Sequence, residues 1–211
     1  MSYRRMLFFG DSITVGYNDG EGLGWPGRLV RNLITPEGDE VTGYNLGING
    51  DTSQHIAARW QSEANVRSRD EHGLLVFAYG FNDAAKPDGG ALQVDLATSV
   101  DTSRRIMEEA RTRADVLWIG PTPLDETVNP LVTPHASWDM RNDDIVRYDA
   151  AYADLAVDLG IPYLRLFPAS LPGISHQLPL SRSAECGRQG SSRNRRLRHD
   201  RRGCGCVGCV A

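Results

Sequence analysis

Three short segments gather hydroxyl, amide and carboxyl groups beside glycines: Gly10-Asp11-Ser12-Ile13-Thr14, Gly47-Ile48-Asn49-Gly50-Asp51-Thr52 and Gly80-Phe81-Asn82-Asp83. The first and third directly follow the apolar runs Met6-Leu7-Phe8-Phe9 and Leu75-Val76-Phe77-Ala78. In open α/β sheets, ligands bind at the carboxyl ends of strands, so residues just after such runs are the ones placed to act. A serine hydroxyl there is barely nucleophilic at neutral pH unless a base activates it.

Elements must hold these groups in place. From residue 5 to residue 172 the chain repeats a short apolar run, a turn-rich stretch and a segment of helical spacing, the pattern of βαβ units and a parallel sheet. Strands are predicted at 5–10, 41–45, 74–79, 116–120 and 162–166. One helix is predicted over 25–34, with Pro26 in its first turn. A second follows Leu92, Leu96, Val100, Ser103, Met107 and Ala110. A third follows Ile145, Tyr148, Tyr152, Leu155, Ala156 and Leu159, with Gly160 as its C′ residue. The expected architecture is a flavodoxin-like three-layer α/β/α sandwich on a five-stranded parallel sheet, forming one domain over residues 1–172. With 211 residues and 40% hydrophobic content, the chain suffices for one such core and not comfortably for two. Trp25, Trp60 and Trp118 read as core or helix packing. Residues 122–142 read as a long loop of the kind that forms lids, so His135 and Trp138 are expected to border a substrate cleft.

Phe9-Gly10-Asp11-Ser12-Ile13-Thr14 resembles block I of the GDSL, or SGNH, hydrolases, the Gly47–Thr52 segment resembles block II, and Gly80-Phe81-Asn82-Asp83 resembles block III, in the family's order. Gly120-Pro121-Thr122-Pro123-Leu124-Asp125-Glu126 is similar to the loop after the fourth strand in small esterases of the isoamyl-acetate-hydrolysing type. The resemblance covers about residues 5–168. It implies a cofactor-free carboxylic ester hydrolase, a short-acyl esterase or acetylesterase, that acylates Ser12 with a small-molecule ester. It also implies an oxyanion hole made by the Ser12 and Gly50 backbone N–H groups and the Asn82 amide, where losing one donor costs about 3 kcal/mol. Gly50 is expected to be glycine so that its backbone can approach the substrate closely. Asp11 and Asp83 are expected to accept from nearby N–H groups and fix the loops. Taken singly, each block has another reading. An aspartate closing a first strand is also a phospho-acceptor or Mg²⁺ ligand in response-regulator-like domains, and a Gly-Asp-Thr turn is often only a turn. The response-regulator alternative expects a late strand-end lysine, and Lys86, the only lysine, stands in the wrong loop.

The family's fourth block is Asp-x-x-His, with the histidine as base and the aspartate as its orienter. His176 is the only histidine in a suitable place, and Gly173 occupies the aspartate position. His199 has the wrong spacing, while His55, His72 and His135 read as exposed or capping residues. Composition also breaks here. Residues 173–211 hold eight arginines against two acids, +6, while the remainder carries −10, and all four cysteines fall in this segment without helical or strand period. The helix that would close a doubly wound domain is not legible. Two explanations stay open: an enzyme using His176 without its carboxylate, or a C-terminus translated out of register from a GC-rich frame. The alternative function is a catalytically impaired homologue or binding module. Cys204, Cys206 and Cys209 lack the paired two-spaced knuckles of a zinc site, so no metal is expected. The tail arginines lack interleaved aromatics, so no nucleic-acid partner is expected. The N-terminal apolar run is too short for a signal peptide, and no stretch reaches the ~20 apolar residues of a membrane span, so a cytoplasmic protein is expected. Oligomeric state is not legible.

Overall fold

Continuously apolar strands such as Met6-Leu7-Phe8-Phe9 require cover on both faces, and this requirement organises the fold. The computed structural model describes residues 4–34, 40–68, 73–132 and 136–167. Strands β1 (Arg4–Gly10), β2 (Val41–Gly47), β3 (Leu74–Ala78), β5 (Asp115–Ile119) and β8 (Tyr163–Leu164) form an all-parallel sheet in the order β2-β1-β3-β5-β8. The five predicted strands are these five, and their order is the flavodoxin-like one.

Register lines up one residue from every strand. Leu46 pairs with Phe9, Phe9 with Phe77, Phe77 with Trp118 and Trp118 with Tyr163, so a single apolar row crosses the sheet just below its carboxyl edge. Phe9 and Phe77 stack with centroids 5.2 Å apart, and Trp118 meets Tyr163 edge-on at 5.4 Å. Helices α3 (Ser53–Ser68), α4 (Leu96–Ala110) and α5 (Asn142–Leu159) cover this face with Ile56, Trp60, Ile106, Met107, Tyr152 and Leu155. The opposite face carries Met6, Phe8 and Val76 beneath α2 (Gly24–Leu33), whose Trp25 meets Phe8 edge-on at 5.3 Å. That cover stops short. Leu117, Leu164 and Leu166 stay 39%, 56% and 36% exposed at the β5–β8 side.

Two differences from the sequence reading have physical causes. Helix α3 is absent from that reading because its buried stripe is narrow: Ile56, Trp60 and Ala64 face inward at steps of four, and charged Arg59 and Glu63 stand between them. Residues 122–142 are not an unstructured loop. They contain a 3₁₀ turn (Glu126–Val128), β6 (Leu131–Val132) and β7 (Ser137–Asp139), and β7 also pairs antiparallel with β4 (Lys86–Pro87). Asn142 closes the base of this segment, since its Oδ1 accepts from Leu124 N at 2.8 Å and its Nδ2 donates to Leu124 O at 2.8 Å. Lys86 reaches from β4 to Asp144 at 2.5 Å. Among the described residues, no helix is long and apolar enough to cross a membrane.

The two sheet faces predict unequal mutational costs. Phe77→Ala should lose about 3–5 kcal/mol of unfolding free energy in urea titration, whereas Leu117→Ser should stay within about 0.5 kcal/mol. Equal losses would contradict the described cover.

Candidate active site

Ser12 opens a single helical turn, α1 (Ser12–Val15), that folds back over the strand ends. Asp11 caps it, its carboxyl accepting from Ile13 N at 2.9 Å, and Gly16 ends it in the left-handed region at φ 86°. The turn can lie this low because Gly47, Gly10 and Ala78 stand in register beneath it. A Cβ on Gly47 would overlap Val15 N and sit 2.8 Å from Asp11 O, and one on Gly10 would overlap the Thr14 hydroxyl and sit 2.5 Å from Ala78 O. Asn45 pins the far side of the turn, donating to Thr14 O at 2.9 Å. The half-buried Ser12 hydroxyl has no hydrogen-bond partner among the described residues.

The second segment leaves β2 with Ile48 N donating to Gly10 O at 3.0 Å and turns back where Asp51 N reaches Ile48 O at 3.2 Å. Gly50 lies in this turn at φ +81°, and a Cβ there would meet nothing within 4 Å, so the left-handed backbone requires glycine and crowding does not. The turn conformation is thus a second reason for glycine here, beside the close approach to substrate expected from sequence. Asn82 joins the segments. Its Nδ2 donates to Asp51 O at 2.9 Å and lies 3.4 Å from Asp11 Oδ2, so it touches the chain neighbours of Gly50 and Ser12. Among the described residues, the backbone N–H groups of Ser12 and Gly50 have no acceptor. Asp83, fully buried, accepts from Ser53 N at 2.7 Å.

Arg59 escapes the sequence reading. From α3 it donates to Asp51 at 2.7 Å, to Leu46 O at 2.7 Å and to Gly10 O at 3.3 Å, tying the ends of β1 and β2 to the second segment. No sequence signal announces it, because an arginine between helix-face residues normally reads as solvated. His55 caps α3, its Nδ1 accepting from Thr52 N at 3.2 Å. Trp138 pairs with Pro87 and Leu131 in the small antiparallel sheet and is half-buried. His135 and His176 lie outside the described residues, as do His72, His199 and the four cysteines. Among the described residues, no three His, Cys, Asp or Glu side chains could together hold a metal ion.

A cavity of about 330 Å³ runs from Asp11 and Ile13 down the α2 side of the sheet, walled by Trp25, Phe81, Ile119, Leu164 and Leu166. Its walls are almost wholly apolar, which leaves the Asp11 carboxyl poorly solvated. Burial, partly offset by the Ile13 N–H, pushes Asp11 up to about 7, with Asp51 and Asp83 adding to the rise.

Two outcomes follow. Gly47→Ala should force α1 off the strand ends and cost about 1–3 kcal/mol, read by urea denaturation. For Asp11, a folded value above the unfolded one means that the folded state holds the proton more tightly. The stability this contributes is full below about pH 4 and is lost as pH rises through about 7. Between pH 4 and pH 8 wild type should therefore lose up to about 4 kcal/mol relative to Asp11→Asn. A difference independent of pH would refute this.

Comparison with known proteins gives this geometry its family. No curated protein matches the sequence. Among solved structures the chain is similar to a lipase/acylhydrolase from Enterococcus faecalis, at 24% identity over 78% of this chain and 76% of that one, with a TM-score of 0.60. It is also similar to AlinE4, an SGNH-hydrolase family esterase, at 21% identity, 77% and 76% coverage and a TM-score of 0.58. A mutant of Axe2, an acetyl-xylooligosaccharide esterase from Geobacillus, matches at 19% identity, 77% and 75% coverage and a TM-score of 0.56. These likenesses carry the fold. The family itself is carried by the sequence, which matches the GDSL-like lipase/acylhydrolase family over residues 8–182. With that span covering all three segments and most of the chain, the protein belongs to the GDSL-like lipase/acylhydrolase family.

Proposed function

We propose that the protein hydrolyses small, short-acyl carboxylic esters, acetylated sugars among them, through an acyl-enzyme on Ser12. The observation that carries this reading is the Asn82 amide, hydrogen-bonded to Asp51 O and within 3.4 Å of Asp11, beside the donor-rich backbone of Ser12 and Gly50. Ser12 Oγ attacks the ester carbonyl carbon as its proton passes to His176. The oxyanion takes hydrogen bonds from the Ser12 and Gly50 N–H groups and from Asn82, whose longer contact to Asp11 is the one it displaces. Collapse returns the proton to the leaving alcohol, and water activated by the same base releases the acid. No cofactor enters this scheme. The Gly120–Glu126 segment, at the cavity end of β5, supports an enzyme of the isoamyl-acetate-hydrolysing kind, and the Axe2 likeness supports an acetyl group as the acyl part.

Gly173 favours a second reading. Where the family's orienting aspartate belongs, this chain has no carboxyl, and loss of that group costs about 10⁴ in turnover. The protein is then an impaired homologue that keeps the cleft as a binding site. The exposed Leu117, Leu164 and Leu166 support a C-terminal segment out of register with the one this sheet would bury, and translation of the other two reading frames past Pro172 tests it. An Asp-x-x-His followed by an amphipathic helix is the expected find; its absence from both frames rejects the idea.

The activity test is p-nitrophenyl acetate hydrolysis by the full chain beside Ser12→Ala, Asn82→Ala and His176→Ala. Ser12→Ala should keep only the residual rate that the oxyanion donors and binding supply without a nucleophile, and Asn82→Ala should lose about 10²–10³ in kcat. His176→Ala should lose most of what remains. A full chain no faster than Ser12→Ala, and unlabelled at Ser12 by a fluorophosphonate, rejects the esterase reading in favour of the second.

A further inference from the structure

We infer that Tyr152 and Ser99, far from the three segments in sequence, are positioning residues that hold the Asn82 turn through Asp83, an inference that rests on the role proposed for Asn82. Tyr152 touches both ends of Gly80–Asp83. At one end its ring lies against Gly80: a Cβ there would stand 2.6 Å from Tyr152 Cε2, and Gly80 adopts φ +113°, so the ring occupies the space that any side chain would take. At the other end its hydroxyl lies 3.3 Å from Asp83 Oδ2 and 2.5 Å from Ser99 Oγ, and Ser99 in turn donates to the same Asp83 oxygen. Asn82 sits between these anchors.

The ring cannot shift easily. Trp118 lies 4.7 Å and Tyr79 5.8 Å away, and Tyr152 is fully buried. Burial first, and Asp83 second, hold the phenol well above its ordinary value of 10, so it remains a donor throughout the pH range of ester hydrolysis. Asp83 passes the constraint on. Its other oxygen accepts from Ser53 N at 2.7 Å, and Ser53 opens α3 directly after Asp51 and Thr52. One carboxyl, oriented by two hydroxyls, thus sets the Asn82 turn against the Gly50 turn, and the Asn82–Asp51 contact of 2.9 Å spans the two. Buried away from solvent, the hydroxyls at 99 and 152 find Asp83 Oδ2 and each other, so orienting that carboxyl is the role their contacts assign them.

Tyr152→Phe keeps the ring and removes only the hydroxyl, while Ser99→Ala removes the other donor and leaves the ring in place. Ile106→Val in the same core but outside the network serves as a stability control. With p-nitrophenyl acetate, both network variants should lose about 10-fold to 100-fold in kcat with KM within about twofold, and Ile106→Val should keep its rate. In parallel, the Asn82 side-chain amide signal of ¹⁵N-labelled full chain, assigned by its loss in Asn82→Ala, should shift in both network variants and not in Ile106→Val. Unchanged kcat and an unmoved Asn82 signal in both variants overturn the inference. If the full chain is no faster than Ser12→Ala, the esterase reading has failed, and the Asn82 signal alone decides whether Tyr152 and Ser99 position the turn.

Discussion

The site depends on a place where side chains are small or missing. Gly47, Gly10 and Ala78 stand side by side at the carboxyl edge of the sheet, and the turn bearing Ser12 puts Val15 N where a Cβ on Gly47 would lie and the Thr14 hydroxyl where one on Gly10 would lie. One residue further down, the same three strands present Leu46, Phe9 and Phe77, among the largest groups in the core. That step from bulky to bare is what presents Ser12. The aromatic row fixes the strands against each other, since close-packed interiors do not deform continuously. The bare row then lets a four-residue helical turn, too short to be stable alone, be held from outside by Asn45, Asp11 and the strand ends.

Three carboxyls converge behind this turn, and each is compensated differently. Asp51 has the guanidinium of Arg59, and Asp83 has one backbone N–H and two hydroxyls. Asp11 has the Ile13 N–H and the long contact to Asn82, with the apolar cavity on its other side. Among the described residues no cation pairs with it, and burial pushes it up to about 7. The cause is desolvation, since a carboxyl taken out of water without a cation beside it favours its neutral form. A neutral Asp11 accepts from the Asn82 amide less strongly than a carboxylate would, which favours the role proposed for that N–H.

How much of this is legible in sequence follows from the range of each interaction. Apolar runs and the three strand-end segments are local patterns, so all five sheet strands and the sheet's class can be read directly. Helices α2, α4 and α5 show wide apolar stripes, while α3 hides because three residues at steps of four suffice to bury it between its neighbours. Residues 122–142 look structureless because their partner, the two-residue strand β4, is almost invisible in a sequence. The glycine at position 50 is recognisable but its positive φ is not, since a left-handed turn and a close approach to substrate ask for the same residue type. Arg59, Ser99 and Tyr152 are out of reach for a different cause: a polar group on the inner face of a helix acquires meaning only from the strand end it meets.

The two faces of the sheet have different consequences for function. Every element that orients the proposed oxyanion donors, namely α1, α3, α4, α5 and the ends of β1, β2 and β3, lies within residues 4–159, where packing is closed by the aromatic row and three helices. Among the described residues, the α2 face of the sheet leaves Leu117, Leu164 and Leu166 exposed beyond Ile119. His176, the base proposed above, comes after β8 in the sequence, so the proposed charge stabilisation and nucleophile activation draw on separate stretches of the chain. Oxyanion stabilisation by itself is worth about 10³–10⁴ over water, whereas activation by a well-held base supplies the larger share of a hydrolase's rate. Under the proposed function, loss of the His176 imidazole would therefore remove most of the turnover while the hydrogen bonds that set Asn82 and the Gly50 turn stay in place. The three segments that carry the family's pattern thus depend on packing set within residues 4–159, apart from the stretch of sequence that bears the proposed base.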